Sequence, residues 1–293
     1  MHPILFTIHP FTMFGRSFGP FELYTYGLML ALAFAVGLPL LAKDTGRFLA
    51  PRVGLTPEQG FNLTFDLFTW VIPFSLVGGR LFFVVENHTE FTGSWLEWFY
   101  IWEGGLVYYG GLVGAVLAAL VWLHKNKWPI PLFLDLAAPY ILLGQAFGRV
   151  GCYSQGCCGG IVDPVHGVIF PGLGDNLPHL PTQLWELYGD LALFLALFLV
   201  RKKLMKHSGV MISLYAVTYG LLRYIIEFWR RDGSKHYLHW FLSPSQAMSF
   251  FLVLGGFAVL TWLHFREHRM KNESKTKSDS TTGGTSSASS ELQ

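Results

Sequence analysis

Charge is what this 293-residue chain has least of. Asp, Glu, Lys and Arg make up 14% of it, where an ordinary globular domain carries about 25%, and the net charge is only +2. That scarcity excludes a soluble, disordered or coiled-coil protein. It also excludes a nucleic-acid partner, because such a binder needs a basic patch to displace counterions from phosphates. Cysteine is scarce as well: Cys152, Cys157 and Cys158 are the only three and fall close together, so there is no disulfide framework of the small secreted kind. The CxxC pair of zinc sites is missing too. The spacing therefore argues against metal, and for an extracytoplasmic disulfide or free buried thiols. No internal repeat of the transporter kind is visible. Residues 1–23 lack the basic and apolar regions of a cleaved leader and are read as a retained external arm.

What the chain has instead is apolar length: 52% of residues are apolar and the mean hydropathy is +0.39. A bilayer core about 30 Å thick takes roughly 20 apolar residues in a helix, because lipid leaves no backbone polar group a partner outside it. Seven segments fit, near 24–42, 63–85, 107–123, 132–148, 184–201, 210–228 and 244–265. The fold class expected is thus an all-α integral membrane protein of about seven transmembrane helices. The first, third and fifth loops and the tail hold most of the basic residues, and the second loop is acidic, with Glu86, Glu90, Glu97 and Glu103. Cytoplasmic loops carry the Lys/Arg excess, so the N-terminus is expected outside and the C-terminus inside. Three parts follow: an arm over 1–23, a membrane domain over 24–265, and a basic tail over 266–293 that is disordered from 272, where bulky apolar side chains run out.

The basic residues away from the cytoplasmic side are the informative ones: Arg16, Arg80, Arg149, Arg223, Arg230, Arg231 and Lys235. An arginine at membrane depth costs on the order of 2.5–3.5 kcal/mol and should face protein or water with a partner. Arg80, Arg149 and Arg223 are expected at one depth near the outer leaflet. A lone arginine of this kind is ordinarily a structural ion pair, but three converging favour an anion site. In the sixth span Tyr219, Arg223, Glu227 and Arg230 fall on one helix face, where an Arg–Glu–Arg ladder can orient a guanidinium for a bidentate grip on phosphate. Tyr24, Tyr26, Tyr108 and Tyr109 lie at the same level, where interfacial tyrosine belts are common. Gly78-Gly79, Gly104-Gly105 and Gly110-Gly111 lie beside them and serve either close helix packing or ligand approach. After the fourth span, Gly148, Gly151, Gly156, Gly159 and Gly160 are expected in a loop whose N–H groups could line an anion nest.

These residues together resemble the prolipoprotein diacylglyceryl transferase family. The resemblance rests on Gly148-Arg149-Val150-Gly151 and on the segment with His179, Pro181, Thr182, Gln183 and Glu186. Gly104-Gly105 and Gly110-Gly111 around Tyr109, and Tyr219 with Arg223, Glu227 and Arg230, complete it. Two positions depart from the common pattern. Cys152 and the Gly156-Cys157-Cys158 run stand where many members have Asn, resembling a cysteine-containing branch of the family, and Tyr109 stands where many have a His considered for proton transfer. The resemblance implies transfer of a diacylglyceryl group from phosphatidylglycerol to the lipobox cysteine of a prolipoprotein signal peptide, with release of glycerol phosphate. It implies Arg149, Arg223, Tyr109 and Glu227 as catalytic, and Arg80, Tyr26, Gly148, Gly151, Gln183, Glu186, Tyr219 and Arg230 as substrate-binding. It calls for no metal or organic cofactor. It further implies the bacterial cytoplasmic (inner) membrane, surrounding lipids as partners, and an active site toward the outer leaflet. The competing classes are a membrane protein that binds or transports an anion or lipid, and a thiol-disulfide enzyme, for which adjacent cysteines make a poor redox pair.

Overall fold

The computed structural model describes residues 3–8, 11–13, 16–18, 21–88, 98, 105–231 and 243–283. Gly104, Glu90, Glu97, Glu103 and Lys235 lie outside them. The chain opens with four short strands, β1 (Ile4–Ile8), β2 (Phe11–Met13), β3 (Arg16–Phe18) and β4 (Phe21–Tyr24). They pair antiparallel as β1 with β4 and β2 with β3. Among the described residues seven α-helices follow: α1 (Thr25–Asp44), α2 (Pro57–Glu86), α3 (Tyr108–Lys125), α4 (Ile130–Gln155), α5 (Thr182–Leu204), α6 (Val210–Ile226) and α7 (Pro244–Gly283). A two-stranded ribbon, β5 (Val168–Ile169) with β6 (Pro178–His179), lies in the segment between α4 and α5.

Six of the helices are long and apolar enough to cross a membrane; α3 is not among them. Its 18 residues reach about 27 Å at 1.5 Å per residue, and its two leading tyrosines, three glycines and terminal His124-Lys125 dilute its apolar character. It packs along α2 through glycine. A Cβ at Gly78 would meet the Gly110 carbonyl, one at Gly110 would meet the Gly78 carbonyl, and one at Gly114 would meet the Phe74 carbonyl. These glycines therefore serve close backbone approach between two helices.

Local chemistry sets the helix ends. Thr56 and Gln59 close a reciprocal capping box at the start of α2. Pro129 and Pro131 open α4, where proline lacks no needed N–H, and Gly156 ends it in a left-handed conformation at φ 72°. α4 is the central helix. Leu132, Phe133, Leu136, Ala138, Tyr140 and Leu142 are buried in the main core with Leu41, Leu67, Leu123, Leu197 and Met211 from its neighbours. By contrast α2, α5 and α7 expose Trp70, Val77, Leu81, Leu199, Phe251 and Trp262, the surface expected of helices solvated by lipid.

Three expectations change here. The fourth span runs past 148 to Gln155, so Gly148-Arg149-Val150-Gly151 is helical and its N–H groups bond along the helix. Gly156 and Gly160 N–H groups are held by Tyr153 and Leu180 carbonyls. The anion nest therefore does not form. The sixth helix ends at Ile226; Glu227 begins a tight turn and Arg230 is extended. The last helix continues to Gly283, beyond residue 272, because a helix already nucleated in an apolar span propagates cheaply into a polar segment free of proline.

Candidate active site

The C-terminal ends of α4 and α6 and the N-terminal end of α5 meet at one end of the bundle. Glu186, on the first turns of α5, is the hub. Its Oε1 accepts from Arg223 Nη1 at 2.8 Å and Arg230 Nη1 at 3.1 Å, while its Oε2 pairs with Arg149. Glu227 pairs in turn with Arg223 at 2.8 Å and Arg230 at 3.5 Å, and accepts from the Ser243 hydroxyl at 2.8 Å. Both carboxylates are buried; the Arg149 side chain, at 20%, is more exposed than those of Arg223 and Arg230, at 14% and 7%. Arg223 also donates to Ser245 at 3.1 Å. Among the described residues Arg149 bonds through one nitrogen only, so its Nε and Nη1 remain available for an acceptor.

Polar atoms with nothing to bond collect at the same place. Ion pairs aside, the buried side-chain atoms without a hydrogen-bond partner among the described residues are Gln145 Oε1, Gln183 Oε1 and both oxygens of Asp190. Asp190 follows Glu186 by one turn of α5, and it interacts electrostatically with Arg149, Glu186 and Arg223. Tyr219 lies within the same field and stacks flat on Tyr215 at 5.4 Å between ring centroids. Native interiors rarely leave buried polar atoms unpaired, so a cluster of them marks where a ligand or water belongs.

The segment after α4 carries the thiols against this cluster. Cys152 sits on the last turn of α4, and Cys158 adopts a positive φ of 64°. Gln183 Nε2 donates to the Cys157 carbonyl at 2.5 Å and the Thr182 hydroxyl donates to the Cys158 carbonyl at 3.2 Å. The first residues of α5 thus hold the cysteine turn in place. All three thiols are free, as the second of the two expectations had it, and they are partly exposed rather than buried. Hydrogen bonding with the Cys152 and Cys157 sulfurs, with Arg230 alongside, pulls the Cys158 thiol well below its ordinary range. Cys157 is pushed up by its bonds to the other two.

Downstream, buried His179 meets the Gly160 carbonyl at 2.8 Å and Asp175 at 3.0 Å, and Asp175 meets Arg231 at 2.9 Å. His179 thus braces the loop rather than facing the arginines.

Of the sequence-predicted residues, Arg149, Arg223, Arg230, Glu186, Glu227, Tyr219 and Gln183 come together. Tyr26 and Gly151 line the edge: a Cβ on Gly151 would sit 2.8 Å from the Tyr26 ring, so the glycine lets α4 close on α1. Gly148 faces open space. Arg80 donates to the Trp98 and Gly105 carbonyls at 2.9 and 3.3 Å, and so reaches the chain leading into α3. Tyr109 is 44% exposed and, among the described residues, makes no hydrogen bond to the cluster. Asp190 escaped the sequence reading, although its i, i+4 spacing from Glu186 inside an apolar span was a usable signal.

Arginines gathered on buried carboxylates at one end of lipid-crossing helices define an integral membrane protein that handles an anionic group. The profile of the prolipoprotein diacylglyceryl transferase family matches residues 14–262, and the chain belongs to that family. Similar proteins named phosphatidylglycerol–prolipoprotein diacylglyceryl transferase occur in Klebsiella pneumoniae, 30% identical over 87% of this chain and 94% of the relative. Others are found in Mannheimia succiniciproducens, at 32% over 87% and 94%, and in Geobacter sulfurreducens, at 32% over 82% and 91%.

Proposed function

We propose that this chain transfers the diacylglyceryl group of phosphatidylglycerol to the thiol of a lipobox cysteine in a prolipoprotein, forming a thioether and releasing glycerol phosphate. The observation that carries the reading is Arg149: a half-buried guanidinium held by Glu186 through Nη2, with Nε and Nη1 making no hydrogen bond among the described residues. A phosphodiester that loses its carbon substituent gains a negative charge on the departing oxygen. Donors already aimed at that oxygen stabilise the transition state without reorganising, commonly the largest single catalytic contribution. Arg223 and Arg230, tied between Glu186 and Glu227, keep the site electropositive and hold the shared carboxylate in register. Gln183, Asp190 and Tyr219 supply acceptors and a hydroxyl for the polar headgroup, and Gly148 leaves room beside Arg149. Arg80 and Tyr26 act at the edge, one by setting the approach of α3 and the other by lining the wall opposite Gly151. Tyr109 borders the entrance at the start of α3.

The setting is the bacterial cytoplasmic membrane with this end of the bundle toward the outer leaflet. The basic loops at the opposite end support that orientation, and α3 then crosses as a seventh span paired with α2. The test uses purified protein, phosphatidylglycerol and a lipobox peptide. Glycerol phosphate release should require both substrates; release without peptide, or none with both, refutes the reading.

A further inference from the structure

The three cysteines rejected as metal ligands on spacing are brought together by the fold. The turn after α4 folds Cys157 and Cys158 back onto Cys152, so that the three Sγ atoms lie within 4.8 Å of one another. The Cys157 and Cys158 sulfurs are 3.6 Å apart. Thiolates bound to one zinc ion at about 2.3 Å in tetrahedral geometry stand roughly 3.8 Å from each other, so the cluster is near the size such an ion needs. The chemistry also fits. A divalent ion with three thiolates carries one net negative charge, and Arg230 and Arg149 stand beside Cys158 and Cys152 to offset it. The carbonyls of Cys157 and Cys158 are pinned by Gln183 and Thr182, the outer support that ligand sets need to hold their geometry. Each cysteine is partly exposed, so one side of the cluster is open.

We propose that Cys152, Cys157 and Cys158 form a three-thiolate site for a thiophilic divalent cation, zinc by preference, whose open fourth position takes the sulfur of the acceptor cysteine. Three protein ligands with one open position is the pattern of catalytic zinc, and a thiol that coordinates such an ion gives up its proton. The proposal rests on the transferase reading and supplies its missing step, since Tyr109 makes no hydrogen bond to the cluster. On binding, the acceptor S–H proton goes to bulk water. The sulfur then attacks the glyceryl carbon of the phospholipid; the C–S bond forms as the C–O bond to phosphate breaks. The electron pair leaves on the phosphate oxygen, beside Arg149, as glycerol phosphate.

The test loads the full reduced chain, in phosphatidylglycerol nanodiscs, with cobalt(II) as a coloured stand-in for zinc. Thiolate-to-cobalt charge-transfer absorption should saturate at one cobalt per chain, disappear on adding zinc, and be lost in Cys157→Ser. The wild-type signal needs no variant to fold. A lipobox peptide should shift the ligand-field bands, and the same peptide with Ser for Cys should not. Chelation should lower turnover roughly 100-fold, the scale of a lost proton-transfer catalyst, with zinc restoring it. Absent charge-transfer absorption, absorption that survives Cys157→Ser, a disulfide within the cluster of the isolated protein, no band shift with the Cys peptide, or turnover indifferent to chelation each overturns the proposal. A cobalt site that forms and responds to the Cys peptide, in a protein that never releases glycerol phosphate from phosphatidylglycerol, instead refutes the transferase reading and leaves the thiolate site standing.

Discussion

Near the start of α5, Glu186 meets three guanidiniums; 15 residues along the same helix, about 22 Å, Arg201 meets a single carboxylate. Asp44 there accepts from Arg201 at 2.7 Å and from Tyr140 at 2.6 Å, and the guanidinium lies over the Phe198 ring at 3.4 Å. Asp135, nearby on α4, accepts the Gly209 and Ile212 N–H groups at 2.5 and 2.8 Å and so caps α6 from outside its own sequence. At this end Asp44 pairs with one guanidinium and a phenol, and both oxygens of Asp135 find a backbone donor. At the Glu186 end carboxylates are shared, and among the described residues Arg149 keeps open donors while Asp190 and Gln183 keep acceptors without a hydrogen-bond partner. The first arrangement holds helices together. The second leaves both donors and acceptors open, the arrangement of a site that receives a polar ligand.

The comparison can be broken by moving function to the wrong end. Arg149→Ala should lower turnover by roughly 100- to 1000-fold, the range for losing one transition-state donor, while the protein elutes from a sizing column in detergent as before. Arg149→Lys should restore little, because a point charge does not replace a planar fork. Full turnover in the alanine variant would end the phosphate role.

A finer contrast lies within the cluster. Arg223→Gln removes a donor shared by Glu186, Glu227 and Ser245 and should cost on the order of 100-fold in turnover. Glu227→Gln keeps an oxygen for Ser243, and since Glu186 still holds both arginines, it should cost about tenfold. Phosphatidylglycerol affinity and turnover, measured separately on folded protein, decide between them. A dead Glu227→Gln that binds lipid normally, beside an active Arg223→Gln, would reverse the roles.

At the opposite end the effect should appear in stability alone. Arg201→Ala leaves Asp44 buried without its counter-charge, a defect of about 3–5 kcal/mol, so the melting temperature in detergent should fall. Turnover per folded molecule should stay within about twofold of wild type, and a larger drop would mean the two ends are coupled.

The smallest effect concerns the loop that carries the thiols. Although partial burial opposes it, the Leu177 N–H, His179 and Arg231 hold Asp175 below the ordinary carboxyl value of 3.8. A depressed carboxyl stabilises the fold fully above its unfolded pKa, and that contribution is lost as pH falls through the lower folded value. Melting temperature should therefore decline below about pH 4 and decline less steeply in Asp175→Asn; parallel curves would remove Asp175 from the account.

How far the site was legible depended on whether its geometry is local. Arg223 and Glu227 are i, i+4 neighbours, so their contact could be read from spacing alone, and the Glu227–Arg230 contact survives although the helix gives way between them. Glu186 as the common acceptor could not be read, because it reaches Arg149 from α5 and Arg223 from α6. The glycines around Arg149 misled in the opposite direction. Their composition suggests a loop, yet burial against α1 at Gly151 and open space at Gly148 let a helix continue through them. The cysteines show the same limit, since their spacing matches no familiar metal motif and only the left-handed turn at Cys158, held by Thr182 and Gln183, folds the thiols together.

By itself the sequence determined the membrane-spanning character, the helices and the residues that do not belong in lipid, because apolar length and the cost of burying charge are properties of single segments. Only the tertiary structure decided which arginines share a carboxylate, that Arg80 reaches the chain before α3, and that three thiols converge beside the cluster. Those are distances between segments far apart in the chain, and they are set by how α4, α5 and α6 pack rather than by the content of any one of them.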